Sequence, residues 1–172
     1  MEAVKVCGLF AIMLVCAAAG FLKSRMLAKR TLELQSILSA LTFISTEIRY
    51  FASPTVSIME KLEENNDYRR LRFFGLCSQN LKNTPDFQFA WKRALSQAKP
   101  YLSINHEDFE ALCAFGDLFG STDTEGQIAN CARYSELIRQ RLTSAVDDQK
   151  KRGRLYASLG VLTGVFLALV LY

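Results

Sequence analysis

The chain carries an uncharged stretch at each end, and each stretch has a basic cluster on its inner side. The first runs from Val6 to Leu22 and is followed by Lys23, Arg25, Lys29 and Arg30. The second runs from Leu155 to Tyr172 and is preceded by Lys150, Lys151, Arg152 and Arg154. A spanning helix needs about 20 apolar residues, with about 17 as a lower limit. The two stretches hold 17 and 18 residues. They are short but sufficient if Lys5, Lys23 and Arg154 snorkel to the interface. The pattern predicts a membrane hairpin in three parts: a first span over 1–22, a soluble domain over 23–154 and a second span over 155–172. Gly160 and Gly164 form a small-xxx-small pair that lets another helix approach closely; the plainer reading is glycine facing lipid.

Basic residues close to span ends are retained in the cytoplasm. Eight lie on the inner flanks, against Lys5 and the amino terminus outside, so the central domain is expected to be cytoplasmic. Ala17-Ala18-Ala19 offers a competing reading as a signal-peptide cleavage site, which would put the basic cluster on the exported side.

The net charge of +4 suggests nucleic acid until its distribution is considered. Residues 23–154 hold 20 basic and 16 acidic side chains, and without the eight flanking basics the balance is 12 against 16, or −4. The soluble body is mildly acidic, which excludes a nucleic-acid surface as the source of the high pI. Anionic lipid headgroups are the natural partners of the flanks. Of the five cysteines, Cys7 and Cys16 lie in the first stretch, while Cys77, Cys113 and Cys131 fall in apolar helical patterns without CxxC spacing. They read as reduced packing residues, and the odd count disfavours a disulfide framework.

Apolar residues recur at helical spacing through the body. One stripe comprises Leu34, Ile37, Leu38, Leu41, Ile44, Ile48 and Phe51, and Pro54 ends it. Ser53 then reads as the cap of a second helix with Pro54 at its first position, fading into the polar run Glu63-Glu64-Asn65-Asn66-Asp67. A third helix is expected over about Tyr68 to Lys82. Thr84-Pro85-Asp86 reads as a cap with a first-turn proline and acid, opening a helix that carries Trp91 and stops before Pro100. Asn105 caps the next, with Glu107, Asp108 and Glu110 at its positive end and Gly120 at its stop. Thr122-Asp123-Thr124-Glu125 reads as a capping box that opens a helix running unbroken from Asp123 through Arg154 into the second stretch. Alternating runs bounded by Asn-Gly or Asp-Gly turns are absent. The fold class expected is all-α: a bundle of about six helices flanked by two terminal transmembrane helices.

Catalytic patterns are lacking. His106 is the single histidine, and a metal site would need further ligands at set spacing. No P-loop, GxSxG elbow or HExxH pair occurs. Neither a catalytic residue, a cofactor nor a metal is expected. Asp147-Asp148 reads as a solvated helical face and Trp91 as core. Three polar positions remain as candidates for a protein-interaction surface. Glu47 borders the apolar stripe between Ile44 and Ile48, and Gln127 follows Asp123 by one helical turn. The structural alternatives are a surface ion pair for Glu47, a helix cap for Asp123 and an interhelical hydrogen bond for Gln127.

Two segments carry a resemblance to a known family. The first is Leu38-Ser39-Ala40-Leu41-Thr42-Phe43-Ile44-Ser45-Thr46-Glu47-Ile48-Arg49-Tyr50 with Ser53-Pro54, a leucine-rich helix ending in Glu-Ile-x-Tyr before a short loop to proline. The second is Phe115-Gly116-Asp117-Leu118-Phe119-Gly120-Ser121-Thr122-Asp123 with Gln127 four residues on, a Gly-x-x-x-Gly-x-x-Asp-x-x-x-Gln signature. With the length, both terminal stretches and Phe89-Ala90-Trp91, they resemble the stage III sporulation protein AB family of endospore-forming bacteria across the whole chain. Thr55 departs from the leucine the family often places after the proline, and the cysteines look peculiar to this chain.

The family's cytoplasmic domain is similar to that of F-type platform proteins of type II secretion and type IV pilus machines. The resemblance therefore implies a non-enzymatic platform that couples a cytoplasmic ATPase to a channel complex required for endospore formation. The implied ATPase is the secretion-type AA protein of the same operon, and other stage III sporulation A channel proteins are the implied neighbours. The implied location is the mother-cell membrane around the forespore, with the soluble domain cytoplasmic; a homo-oligomer is left open. The rival reading is a membrane-anchored helical enzyme or sensor, which requires a polar pocket of titratable groups.

Overall fold

The structure, a computed structural model, describes the backbone of residues 2–171 and the side chains of residues 8, 11, 14–153, 155, 156, 158–160, 162–164 and 166. Among the described residues six α-helices follow one another: α1 Glu2–Phe51, α2 Thr55–Glu64, α3 Phe73–Leu81, α4 Phe87–Ala98, α5 His106–Leu118 and α6 Thr124–Leu171. Short 3-10 turns occupy Asn66–Tyr68 and Lys99–Tyr101, the second containing Pro100. Among the described residues there is no strand, so the all-α expectation holds. No helix of the described residues is long and apolar enough to cross a membrane. In the expected spans over 6–22 and 155–172 the side chains of several positions, Cys7 among them, lie outside the described ones, as does Tyr172 altogether.

The chain divides into two compact units, Met1–Thr31 with Ser144–Tyr172, and Leu32–Thr143. In the first unit α1 and α6 meet through glycine. A Cβ added to Gly20 would lie 3.1 Å from Gly160 Cα, and one added to Gly160 would lie 2.7 Å from the Cys16 carbonyl oxygen. Only hydrogen fits at either position, which is how small residues let two helix backbones touch. The close partner of Gly160 is thus Gly20 of the same chain. Asp148 lies beside Arg152 at 3.1 Å and Arg30 at 4.0 Å, so it is paired rather than merely solvated.

The second unit is built around aromatic packing. Trp91 of α4 is 1% exposed and meets Phe73 at 5.3 Å, Phe87 at 5.6 Å and Phe115 at 5.6 Å between ring centroids. Phe115 in turn meets Tyr134 of α6 edge-on. Leu34, Ile37, Ala40, Leu41 and Ile44 close the core from α1, as helical spacing predicts. Phe51 departs from the stripe and is 66% exposed at the last position of the helix, where the Lys61 ammonium lies over its ring, 5.6 Å from the centroid.

Several starts move relative to expectation. Ser53 does not cap α2; Pro54 occupies the N-cap position, without a side-chain bond, and the Ser53 hydroxyl is committed to Glu47. Thr84 does not cap α4: Asp86 accepts the Phe89 N–H at 3.1 Å, placing Pro85 ahead of the cap. Asp and Ser/Thr compete for such roles, and the charged oxygen makes the stronger bond. The third helix begins at Phe73, five residues late, because Tyr68 is taken into the 3-10 turn and packs against Phe74. Asn105 and Asp108 do form a reciprocal capping box on α5.

Ala52 ends α1 in left-handed conformation, with φ +46°. A Cβ is unfavourable there, and glycine is the usual occupant of such a helix stop. Ala52→Gly is expected to stabilise the fold by about 0.5–1 kcal/mol after the extra unfolded-state entropy of glycine is subtracted. Thermal unfolding of the two proteins side by side checks this; an unchanged or lower melting temperature refutes it.

Candidate functional site

Glu47 lies one turn before the end of α1, 6% exposed. Its carboxylate accepts from Lys61 Nζ of α2 at 2.5 Å and from the Ser53 hydroxyl at 2.7 Å. The Lys61 bond first, and the Ser53 bond second, hold the carboxyl below the usual carboxylate range; burial opposes them and loses. The Ser53 N–H also returns to the Glu47 carbonyl at 3.3 Å. Glu47 therefore staples the α1–α2 corner, with the chain reversing around it. The surface ion pair expected for it is an ion pair, but a buried one on the glutamate side.

Asp123 and Gln127 sit at the α5–α6 corner. Asp123 Oδ1 accepts the Gly126 N–H at 2.9 Å, which makes Asp123 the cap of α6 and replaces the expected Thr122–Glu125 box. Gln127 Nε2 donates to the Thr122 carbonyl at 3.0 Å. That bond is local, not interhelical. Gly120 turns the chain with φ +80°, a conformation that favours glycine. Gly116 lies under the Trp91 indole so closely that a Cβ would collide with the ring, while Trp91 Nε1 donates to the Leu112 carbonyl at 2.8 Å. Among the described residues no hydrogen bond or ion pair joins Glu47 to Asp123 or Gln127. Glu47 belongs to the α1–α2 corner, and Asp123 and Gln127 to the α5–α6 corner.

Two buried acids escaped sequence reasoning as such. Glu33 and Asp108 are both 0% exposed. Glu33 accepts the Ser103 N–H at 2.6 Å, and Asp108 accepts from the Asn105 N–H at 3.1 Å with Arg141 Nη1 3.7 Å away. The signal for Glu33 was present: positions 33, 37, 40 and 44 share one helical face, and the other three are Ile37, Ala40 and Ile44. These acids secure the 103–108 segment, and their geometry is that of loop fixation.

Nucleophilic and metal chemistry find little footing. Burial pushes the thiols of Cys77 and Cys131 up to about 12 and raises that of Cys113, so none is a reactive thiolate. No group of three His, Cys, Asp or Glu among the described residues could hold a metal ion. His106 is exposed, 3.8 Å from Glu110.

The family model described as Stage III sporulation protein AB matches residues 5–172. Stage III sporulation protein AB of Bacillus subtilis (strain 168) is 23% identical over 168 residues, covering 97% of this chain and 98% of that protein. A solved structure of stage III sporulation protein AB (SpoIIIAB) superposes with a TM-score of 0.61 at 21% identity, covering 72% of this chain and 98% of that chain, and supports the fold. These relatives carry the name of a sporulation protein rather than of an enzyme. With the match extending over nearly its whole length, the chain belongs to the stage III sporulation protein AB family.

Proposed function

We propose that this protein is a non-enzymatic membrane platform of the sporulation channel complex, coupling a cytoplasmic secretion-type ATPase to the channel between mother cell and forespore. The terminal stretches 1–22 and 155–172 are its spans, and the body from 23 to 154 faces the mother-cell cytoplasm. Other stage III sporulation A channel proteins are its neighbours in the membrane. The observation that carries the reading is the interior of the second unit: it is filled by Trp91, Phe73, Phe115, Leu34, Ile37 and Ile44 rather than by a cleft of titratable groups. Such a body suits transmission of force better than chemistry. The absence of proline from α6 supports the same role, since an uninterrupted hydrogen-bonded ladder resists bending.

Of the three interaction candidates, Asp123 and Gln127 are the accessible ones, and Glu47 acts by holding its corner in shape. The test must separate docking from capping. Asn caps a helix about as well as Asp but carries no charge. Asp123→Asn is therefore expected to leave stability within about 0.5 kcal/mol of the parent. In the same protein it should weaken co-purification of the full chain with the ATPase and reduce spore formation. ATPase capture and spore yield both at parental levels would remove Asp123 from the docking surface. No capture by the parent protein would remove the coupling role itself.

A further inference from the structure

Arg69, Arg70 and Arg72 place three guanidinium groups within four residues on a body whose charge balance away from its ends is −4. All three are exposed, and none forms an ion pair within 4 Å among the described residues. Three guanidinium groups so close together set up a local positive potential that favours an anionic partner. Their position is specific. Arg69 and Arg72 line an open cleft of about 370 Å³ where α2, α3 and the end of α4 come together. The cleft floor is apolar: Leu62, Leu71 and Phe74 back it as closed core, and the half-buried Leu76 and the exposed Tyr101 present its accessible apolar surface. Arg72 lies over the ring of Tyr101, 4.8 Å from its centroid, which fixes the guanidinium plane at the rim. Glu63 lines the cleft as well, with its carboxylate turned over Gly75, 3.2 Å from where a Cβ there would lie.

We infer that this cleft is a docking site for an acidic segment of a partner protein that inserts apolar side chains. The floor would receive the apolar anchors, and Arg69 and Arg72 would pair with flanking carboxylates in the bidentate geometry that guanidinium groups favour. Gln79 and Gln97 at the rim carry amides suited to the backbone of such a segment. The volume lies in the range of ligand-sized cavities, about 300–1,000 Å³. Charge selects the partner: two arginines against the single carboxylate of Glu63 leave the cleft net positive, which repels a basic segment and favours an acidic one. The site shares no residue with the α1–α2 or α5–α6 corners, and the inference does not rest on the platform reading.

The test uses the full chain in mild detergent and three labelled synthetic peptides of about four helical turns each. One is glutamate-rich with leucine and phenylalanine anchors, one has lysine for every glutamate, and one has alanine for every anchor. Fluorescence anisotropy is expected to show saturable binding of the first peptide and at least about tenfold weaker binding of the other two. Arg69→Ala with Arg72→Ala should weaken the first peptide about tenfold, because the charge partners are lost. Gly75→Leu should do the same by filling the cleft while leaving both arginines in place. Both variants alter positions outside the closed core, and leucine is a better helix former than glycine, so parental melting curves are expected. Binding that is absent in the parent, equal for the lysine peptide, or undiminished in either variant overturns the proposal. So does displacement of the peptide by phosphatidylglycerol doped into the micelles, which would assign the arginines to a lipid surface.

Discussion

Gly116→Ala is expected to lower the unfolding free energy by about 3 kcal/mol, the upper end of what one added methyl group does in a packed interior. The cause is local. The Trp91 ring occupies the space over Gly116, and its Nε1–H is fixed to the Leu112 carbonyl one turn earlier on the same helix. Trp91 cannot retreat, because Phe73, Phe87 and Phe115 surround it. The added carbon must therefore push α5 away from α4 or force the indole from its rotamer. Gly120→Ala provides the internal comparison. Its Cβ meets nothing within 4 Å, and the cost arises only from φ +80°, about 1–2 kcal/mol. Urea unfolding of the two variants should rank Gly116→Ala well below Gly120→Ala. Trp91→Phe introduced with Gly116→Ala should cost less than the sum of the single changes, since the smaller ring vacates part of the contested space. A Gly116→Ala protein as stable as Gly120→Ala would mean that the indole does not seal this contact.

The same contact explains what the second signature segment does. Gly116 admits Trp91, Gly120 turns the chain, Asp123 caps α6, and Gln127 ties its side chain back to Thr122. The first segment behaves alike, with Glu47 gathering Ser53 and Lys61 at the α1–α2 corner. Both motifs thus encode corners of a bundle.

How much of this could be read in the sequence depended on the range of each interaction. The helices were legible because their apolar spacing repeats along one element; Ile37, Leu41 and Ile44 lie where a period of 3.6 puts them. The Asn105 cap was legible because its partner, Asp108, is three residues away. Capping near Ser53 and Thr84 was misplaced because each has a nearby carboxylate, and the winner is set by where the chain turns. Glu47 was recognised as unusual, yet its environment depends on Lys61, across a turn whose direction the sequence does not state. The burial of Glu33 was signalled by the face it shares with Ile37, Ala40 and Ile44, but its acceptor role was not, since it joins residues 70 positions apart. The Arg69–Arg72 cluster was in plain view, but its meaning required the cleft that folding builds beside it.

Glu47→Ala is expected to destabilise the protein by about 2–3 kcal/mol at pH 7, through loss of two charge-assisted hydrogen bonds. Lys61 is 43% exposed at its side chain and regains water when the carboxylate is removed, which keeps the loss below that of a fully interior pair. The pH dependence tests the mechanism independently. The folded-state pKa of Glu47 lies below its unfolded value, so the folded protein binds the proton less readily than the unfolded chain. The stabilisation is therefore fully present above the unfolded pKa of about 4.3 and declines as pH falls through the lower, folded value. Glu47→Gln keeps the shape and can still accept from Ser53, but it carries no charge and does not titrate. The gap in unfolding free energy between the parent and Glu47→Gln should be widest near pH 7 and narrow steadily below about pH 4. Lys61→Met should narrow the same gap at neutral pH, because Lys61 makes the largest contribution to lowering the carboxyl. A gap that stays constant from pH 7 to about pH 3 would mean that Glu47 holds its corner by shape alone, with the charge playing no part.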